Sequence, residues 1–325
     1  MKASLMYACA FLSGQLAGAA VAAEAQPKFP SKPIRMIVPF SPGSQTDILA
    51  RLIGQKMNEN WGQQIVVDNR PSAGGTIAAG IVATAPGDGH TLMLHSVGHA
   101  INATLYTRLA FDTVRDFAGV SQVASVPNVL VVAPALGVKS VKDLIAMARQ
   151  KPGAINYGSA GIGSGTHMNG EQFKVAAGIN VVHVPYKGTP ETLADTMTGR
   201  IQFFFAPLVP ATPFVKDGRL VALAVSTAQR SPVLPDVPTV AEAAIPGFEY
   251  DQWYGILAPR GTPKAILNQL SKEVARVLDL PDVRKTFQTQ GAVAKPSTPE
   301  QFDAFIRVEI EKLAKVIRAS GAKAD

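Results

Sequence analysis

Two loops in this chain combine glycine, serine and threonine with no lysine, no arginine and no obvious nucleophile, a mixture better suited to holding an anion than to breaking a bond. The first is Ser41-Pro42-Gly43-Ser44-Gln45-Thr46-Asp47. It follows Ile34, Met36, Ile37, Val38 and Phe40, an apolar run that predicts a buried strand. It precedes Ile48, Leu49, Leu52, Ile53 and Met57, which share one helical face. Ser44, Thr46 or Asp47 can cap that helix. Unpaired backbone N–H groups and the helix dipole converge at a helix N-terminus and favour negative charge there. Taken alone, the segment reads first as an ordinary strand-to-helix turn.

The second loop, Ser159-Ala160-Gly161-Ile162-Gly163-Ser164-Gly165-Thr166-His167, also runs from a strand end (Asn156-Tyr157-Gly158) into a helix. It is no dinucleotide fingerprint, because Thr166 stands where the third glycine belongs. It has no Gly-Lys-Ser/Thr of a P-loop and no serine nucleophile elbow. What remains is a nest of N–H groups and hydroxyls that can hold a carboxylate or an ordered water, or a flexible loop with no ligand. In open α/β sheets ligands bind beyond the carboxyl ends of strands. Two such loops on two facing lobes would point into one cleft, and closure would satisfy donors in both lobes at once.

The elements needed to position these loops are legible along the chain. Ile34–Phe40, Gln64–Asp68 and Thr91–His95 predict strands, alternating with helices at Asp47–Trp61 and Thr76–Ala85. That order implies a parallel sheet covered on both faces. A second α/β series starts near Val129 and runs to Ser226. The Pro-rich stretch Ser231–Pro238 predicts an extended connector, Tyr250–Ala258 a further strand, and the remainder a helical tail that packs back on the first series. The expectation is an α/β chain of two lobes, residues 24–125 with 250–325 and residues 126–249, with a ligand cleft between them.

Further segments are placed to line that cleft: Ser96 to His99 after a strand, Val184 to Thr189 with Tyr186 before a helix, Phe203 to Pro207 with Phe205 and Ala206 at a strand end, and Asp251-Gln252-Trp253-Tyr254-Gly255 as a further wall. Trp253 is equally a packing residue between lobe and tail. The five histidines form no metal-ligand spacing; His95 and His99 are four apart, but Gly98 and the strand before it argue against a helix there. No Ser/His/Asp set and no paired carboxylates stand out, so an enzyme is the weaker expectation.

The opening residues predict an exported protein. Met1-Lys2, the uncharged apolar run Leu5 to Ala23 and the small residues around Ala22 form a secretory signal, residues 1–23. The only cysteine, Cys9, lies inside it, so the remaining chain expects no disulfide, thiolate or cysteine–metal site. About 300 residues bury a sufficient core without cross-links. Removing the signal leaves 30 basic and 24 acidic residues without any basic run, which makes nucleic acid a poor partner.

Six motifs, spread in order over the chain, carry a resemblance. They are Phe29–Gly43, Asp68-Asn69-Arg70-Pro71-Ser72-Ala73-Gly74-Gly75-Thr76, Ala85-Pro86-Gly87-Asp88-Gly89-His90-Thr91-Leu92, Val184-Pro185-Tyr186-Lys187-Gly188, Pro235 to Glu242 and Trp253-Tyr254-Gly255-Ile256-Leu257-Ala258-Pro259. In these the sequence resembles the Bug-type receptors, the periplasmic substrate-binding proteins of tripartite tricarboxylate transporters. The resemblance implies two lobes enclosing a small carboxylate, no cofactor, no catalysis, and membrane transporter subunits as partners of a monomeric receptor. It implies a grip through Pro42, Gly43, Ser44, Gln45, Thr46 and Asp47, and through Ser159, Gly161, Gly163, Ser164, Thr166 and His167, often with ordered waters. A periplasmic sensing subunit docking on a signalling membrane protein is the alternative.

This chain departs from the family pattern at two points. Ser44-Gln45 stands where the pattern has a second glycine and a small residue, which lets a longer polar side chain reach the ligand. Ala206-Pro207 stands where many relatives carry an aspartate suited to an amino acid's ammonium. The expectation is therefore a dicarboxylate, aliphatic or aromatic, held at an apolar waist of Phe205, Ala206 and Trp253.

Overall fold

The structure, a computed structural model, describes residues 29–324; the expected signal segment lies outside the described residues. Two sheets organise the chain. The first has six strands, β1 (Ile34–Val38), β2 (Ile65–Asn69), β3 (Thr91–Ser96), β4 (Phe117–Ser125), β10 (Trp253–Pro259) and β11 (Val293–Ala294), in the spatial order β11-β4-β10-β3-β1-β2. The second has five, β5 (Asn128–Val132), β6 (Asn156–Ser159), β7 (Val182–Pro185), β8 (Phe203–Pro207) and β9 (Val221–Val225), in the order β7-β6-β8-β5-β9.

Each sheet starts with a parallel trio and is completed by an antiparallel guest. β1 pairs in parallel with β2 and β3, and β10 enters antiparallel between β3 and β4. β6 pairs in parallel with β7 and β8, while β5 lies antiparallel between β8 and β9. β1 buries every side chain but Arg35, as a central strand covered on both faces must.

Helices α1 (Gln45–Trp61), α2 (Thr76–Ala83) and α3 (Gly98–Leu105) cross over in the first half, and α4 (Val141–Gln150), α5 (Gly165–Ala177), α6 (Thr189–Met197), α7 (Leu208–Lys216) and α8 (Val240–Ala243) in the second. The tail is α9 (Lys264–Asp279), α10 (Pro281–Gln290) and α11 (Pro299–Ser320). α9 and α11 cover β4, and α11 also lies on α3 and reaches α5 beside the second sheet. α1 ends at Gly62, whose φ of 67° lets its N–H close the last turn on the Asn58 carbonyl.

Three elements differ from the sequence expectation. A helix, α3, does form after β3 despite Gly98. Gly98 is its first residue and packs closely, a Cβ there standing 3.0 Å from the Gly163 carbonyl oxygen. Phe117–Ser125 is a strand of its own. The Pro-rich connector folds into turns, with Leu234 N–H on Ser231 O and Val237 N–H on Leu234 O, and leads into α8. Thr239 and Glu242 form a capping box on that helix.

The chain passes between the sheets at residues 126–127 and again at 226–252. These crossings are stitched together by backbone hydrogen bonds from Val126 N–H to Gln252 O, Ser226 N–H to Asn128 O and Tyr250 N–H to Ser226 O.

Candidate functional site

The carboxyl ends of β1, β3, β6 and β8 face one another across a closed cleft. Its wall is formed by Phe40, Ser44, Gln45, Thr46 and Ser96 from the first side, Ala160, Ser164, Gly165, Thr166, Thr189 and Pro207 from the second, and Gln252 and Tyr254 near the crossing. The empty space between these residues is about 260 Å³. It forms a slot between the two sides.

No charged side chain lines the slot. Attraction for an anion comes instead from dipoles. The first backbone N–H groups of α1 and of α5 have no intrahelical acceptor, and both helices begin on the wall at Gln45 and Gly165. Hydroxyls add to them. Ser164 Oγ accepts the His167 N–H at 3.2 Å, Thr166 Oγ1 accepts the Ala160 N–H at 2.9 Å, and the two hydroxyls bond each other at 3.0 Å. One hydroxyl proton of that pair is left over. Tyr254 OH accepts from Gln252 Nε2 at 2.8 Å, so its own proton is also free to point elsewhere. Burial pushes the Tyr254 phenol far up, which keeps it a neutral donor. Thr46 Oγ1 and both amide atoms of Gln45 are buried without a partner.

Direct contacts hold the two sides together. Thr189 N–H donates to Ser44 Oγ at 3.1 Å, Ser41 N–H to Lys187 O at 3.3 Å, and Tyr106 OH to Ile162 O at 3.2 Å.

The structure brings Phe40, Ser44, Gln45, Thr46, Ser96, Ser164 and Thr166 onto the wall and sets the other expected residues around it. Pro42 and Gly43 form the exposed tip of the first loop, where Gly43 takes a φ of 81°. Gly161 and Gly163, at φ 123° and 80°, turn the second loop. Ser159 Oγ supports it from below, accepting the Gly161 N–H at 3.0 Å and lying 2.6 Å from His183 Nε2. His167 Nδ1 accepts the Gly163 N–H at 3.2 Å, and its ring stacks on His183 at 4.0 Å. Burial first, then Lys174, push His167 down to about 3, so it stays the neutral acceptor this bond needs. Ala206 is fully buried on β8, beside Pro207 on the wall.

Four expected residues lie behind the wall. Tyr186 OH donates to Asp195 at 2.8 Å. His99, on the first turn of α3, bonds Thr113 O through Nε2 at 2.9 Å, and burial pushes it down to about 4. Phe205 is core, 5.3 Å edge-on from Phe173. Trp253 is core, edge-on to Phe302 and Phe305, with its indole N–H on Glu309. Ala160, Gly165, Thr189, Pro207, Gln252 and Tyr254 also stand on the wall; they belong to segments that the sequence places at the cleft, but they are not among the residues singled out there to hold the ligand. Strand alternation carried a signal for two of them, because Gln252 and Tyr254 must share a face opposite Trp253.

Asp47 braces the first loop from outside the slot. Its carboxylate accepts the Gly43 N–H at 2.9 Å and pairs with Arg51 at 2.9 Å. Burial pushes its carboxyl up, but the bonds from Arg51 and Gly43 outweigh this and hold it below its ordinary value of 3.8. The stabilisation is therefore present above pH 4 and fades as pH falls through the lowered folded value. Arg51 is half-exposed, which discounts the ion pair. Asp47→Asn is expected to cost about 1 kcal/mol at pH 7. Thermal melts from pH 7 to pH 2 check this: the variant and parent curves approach each other at the acid end.

Two facing α/β halves, joined by paired crossings and closed over a donor-lined slot, define a two-lobed solute-binding fold. The profile described as "Tripartite tricarboxylate transporter family receptor" matches residues 49–322, and the chain belongs to that family. It is a solute-binding protein and not an enzyme. It is similar to BugT of Bordetella pertussis, 35% identical over 297 residues that make up 91% of each protein. Rpa4515 of R. palustris, solved with adipate, superposes with a TM-score of 0.88 at 38% identity, over 91% of this chain and 99% of that one. MatC (Rpa3494) from Rhodopseudomonas palustris, solved with bound malate, gives 0.83 at 32% identity, over 89% and 100%.

Proposed function

We propose that this chain is a periplasmic receptor that captures a small aliphatic dicarboxylate by closing two lobes, residues 24–125 with 250–325 and residues 126–249, and delivers it to membrane subunits of a tripartite tricarboxylate-type transporter. The observation that carries the reading is the pair of helix N-termini, α1 and α5, opening from opposite sides on one uncharged slot rich in unpartnered donors. A ligand with a carboxylate at each end engages both and so favours the closed arrangement. Adipate and malate in the two related structures are dicarboxylates of this kind. The absence of a carboxylate on its wall disfavours an ammonium-bearing ligand.

Calorimetric titration of the protein with succinate, malate, adipate and phthalate tests this. At least one of the aliphatic acids binds, and more tightly than phthalate, in keeping with the adipate and malate of the two related structures; binding by none of the aliphatic acids contradicts the reading. Within the site, Thr46→Val removes a buried hydroxyl that has no partner among the described residues. The expected loss is about 1 kcal/mol of binding, roughly five- to tenfold in Kd, with an unchanged melting temperature.

A further inference from the structure

The slot contains one group that a plain dicarboxylate cannot satisfy. Gln45 is 1% exposed, lies on the wall, and neither its amide nitrogen nor its amide oxygen has a partner. Whichever way the amide is turned, it presents one donor and one acceptor to the slot. Its neighbours on the wall have protons to offer a ligand: the Thr46 hydroxyl, the surplus proton of Ser164 and Thr166, the Tyr254 phenol and the helix N–H groups. None of the wall's hydroxyls donates to the Gln45 oxygen. The other amide on the wall is already committed, since Gln252 Oε1 accepts from Asn128 Nδ2 at 3.1 Å and its nitrogen donates to Tyr254.

A dicarboxylate ionised at both ends brings only acceptors. It pairs with the Gln45 NH₂ and leaves the buried oxygen bare, which opposes binding. A hydroxyl on the ligand's carbon chain changes this. Its proton meets the Gln45 oxygen, while its own oxygen and the adjoining carboxylate accept from the amide nitrogen and the α1 N-terminus. We propose that Gln45 is the specificity-determining residue of the slot and that the chain selects hydroxylated dicarboxylates over their unsubstituted counterparts. The inference rests on the dicarboxylate reading above and adds the substituent. A site built to bond a hydroxyl discriminates strongly against the analogue lacking it, because its own buried polar group is then left unpaired.

The test is a matched-pair titration: malate against succinate and 2-hydroxyadipate against adipate, each on the parent protein and on Gln45→Met and Gln45→Ala, with a thermal melt of each variant. On the parent, the hydroxylated member of at least one pair binds tenfold or more tightly than its counterpart. In both variants that ratio falls to within about twofold of unity. Equal affinity within both pairs on the parent overturns the inference, since a water would then be supplying the proton. A preference that survives in both variants overturns it as well, assigning the hydroxyl to another group. If no member of either pair binds the parent, the dicarboxylate reading itself fails and this inference with it, a result distinct from equal binding.

Discussion

Replacing Gly188 by valine is expected to leave the melting temperature nearly unchanged and to weaken dicarboxylate binding by about five- to more than a hundredfold. Gly188 sits just before α6 with φ −178°, extended backbone that valine adopts without backbone strain. A Cβ at this position, however, would lie 2.7 Å from Ser44 Oγ, 2.8 Å from Ser41 Cβ and 3.0 Å from Ser41 N. All three atoms belong to the first loop, on the other side of the cleft, and one is backbone. Overpacking of this kind costs about 1–3 kcal/mol. An open protein avoids that cost entirely, so it falls on closure and appears in affinity, where each 1.4 kcal/mol is about tenfold. Titration and a thermal melt of the same sample check the pair of outcomes. Full affinity in the variant would show that binding does not require this closed contact.

The second large effect is on stability. Phe302→Ala is expected to lower stability by about 3–5 kcal/mol and the melting temperature by on the order of 10 °C. Phe302 is fully buried on the first turns of α11, and its ring lies over two glycines of adjacent strands. A Cβ at Gly255 on β10 would come within 2.1 Å of the Phe302 ring tip, and one at Gly119 on β4 within 3.1 Å of its edge. The ring also meets Trp253 edge-on at 5.7 Å. Beside it, Asp303 accepts the Gly119 N–H at 2.7 Å, fastening the same helix to the sheet. Removing the ring leaves a cavity under the last helix, between strands too closely packed to collapse into it. Scanning calorimetry checks the shift; a change under about 2 °C would mean that α11 is not anchored there.

The local elements were legible because local rules decide them. The apolar run of β1, the loop and the amphipathic α1 gave nearly their observed limits, and Gly62 marked the stop. The architecture of two α/β halves followed from the alternation of strands and helices. The cleft followed from the paired loops at strand ends, and the resemblance to the receptor family agreed with it. What local pattern could not supply was contact between distant segments. Thr189 meets Ser44 across 145 residues of sequence, and nothing in either segment announces the other. α3 forms although glycine's propensity disfavours it, with Gly98 at its first residue packed against the Gly163 loop. Trp253 drew attention by its size, yet alternation along β10 turns it to the core and presents Gln252 and Tyr254 to the slot. The loops themselves split along similar lines. Residues at the helix starts, Gln45, Thr46, Ser164 and Thr166, face the slot, whereas Asp47 and His167, one residue further along, turn back to brace the loops.

The central claim is that the two helix N-termini are opposing jaws on one dicarboxylate. A crystal structure of the protein grown with saturating malate tests it most directly. The account predicts a closed cleft with one ligand carboxylate within about 2.7–3.2 Å of the first N–H groups of α1 and the Thr46 hydroxyl, and the other facing the α5 start at Ser164 to Thr166, directly or through one water. Malate bound elsewhere on the surface, or held in the slot by only one of the two helix ends with the lobes apart, would contradict it.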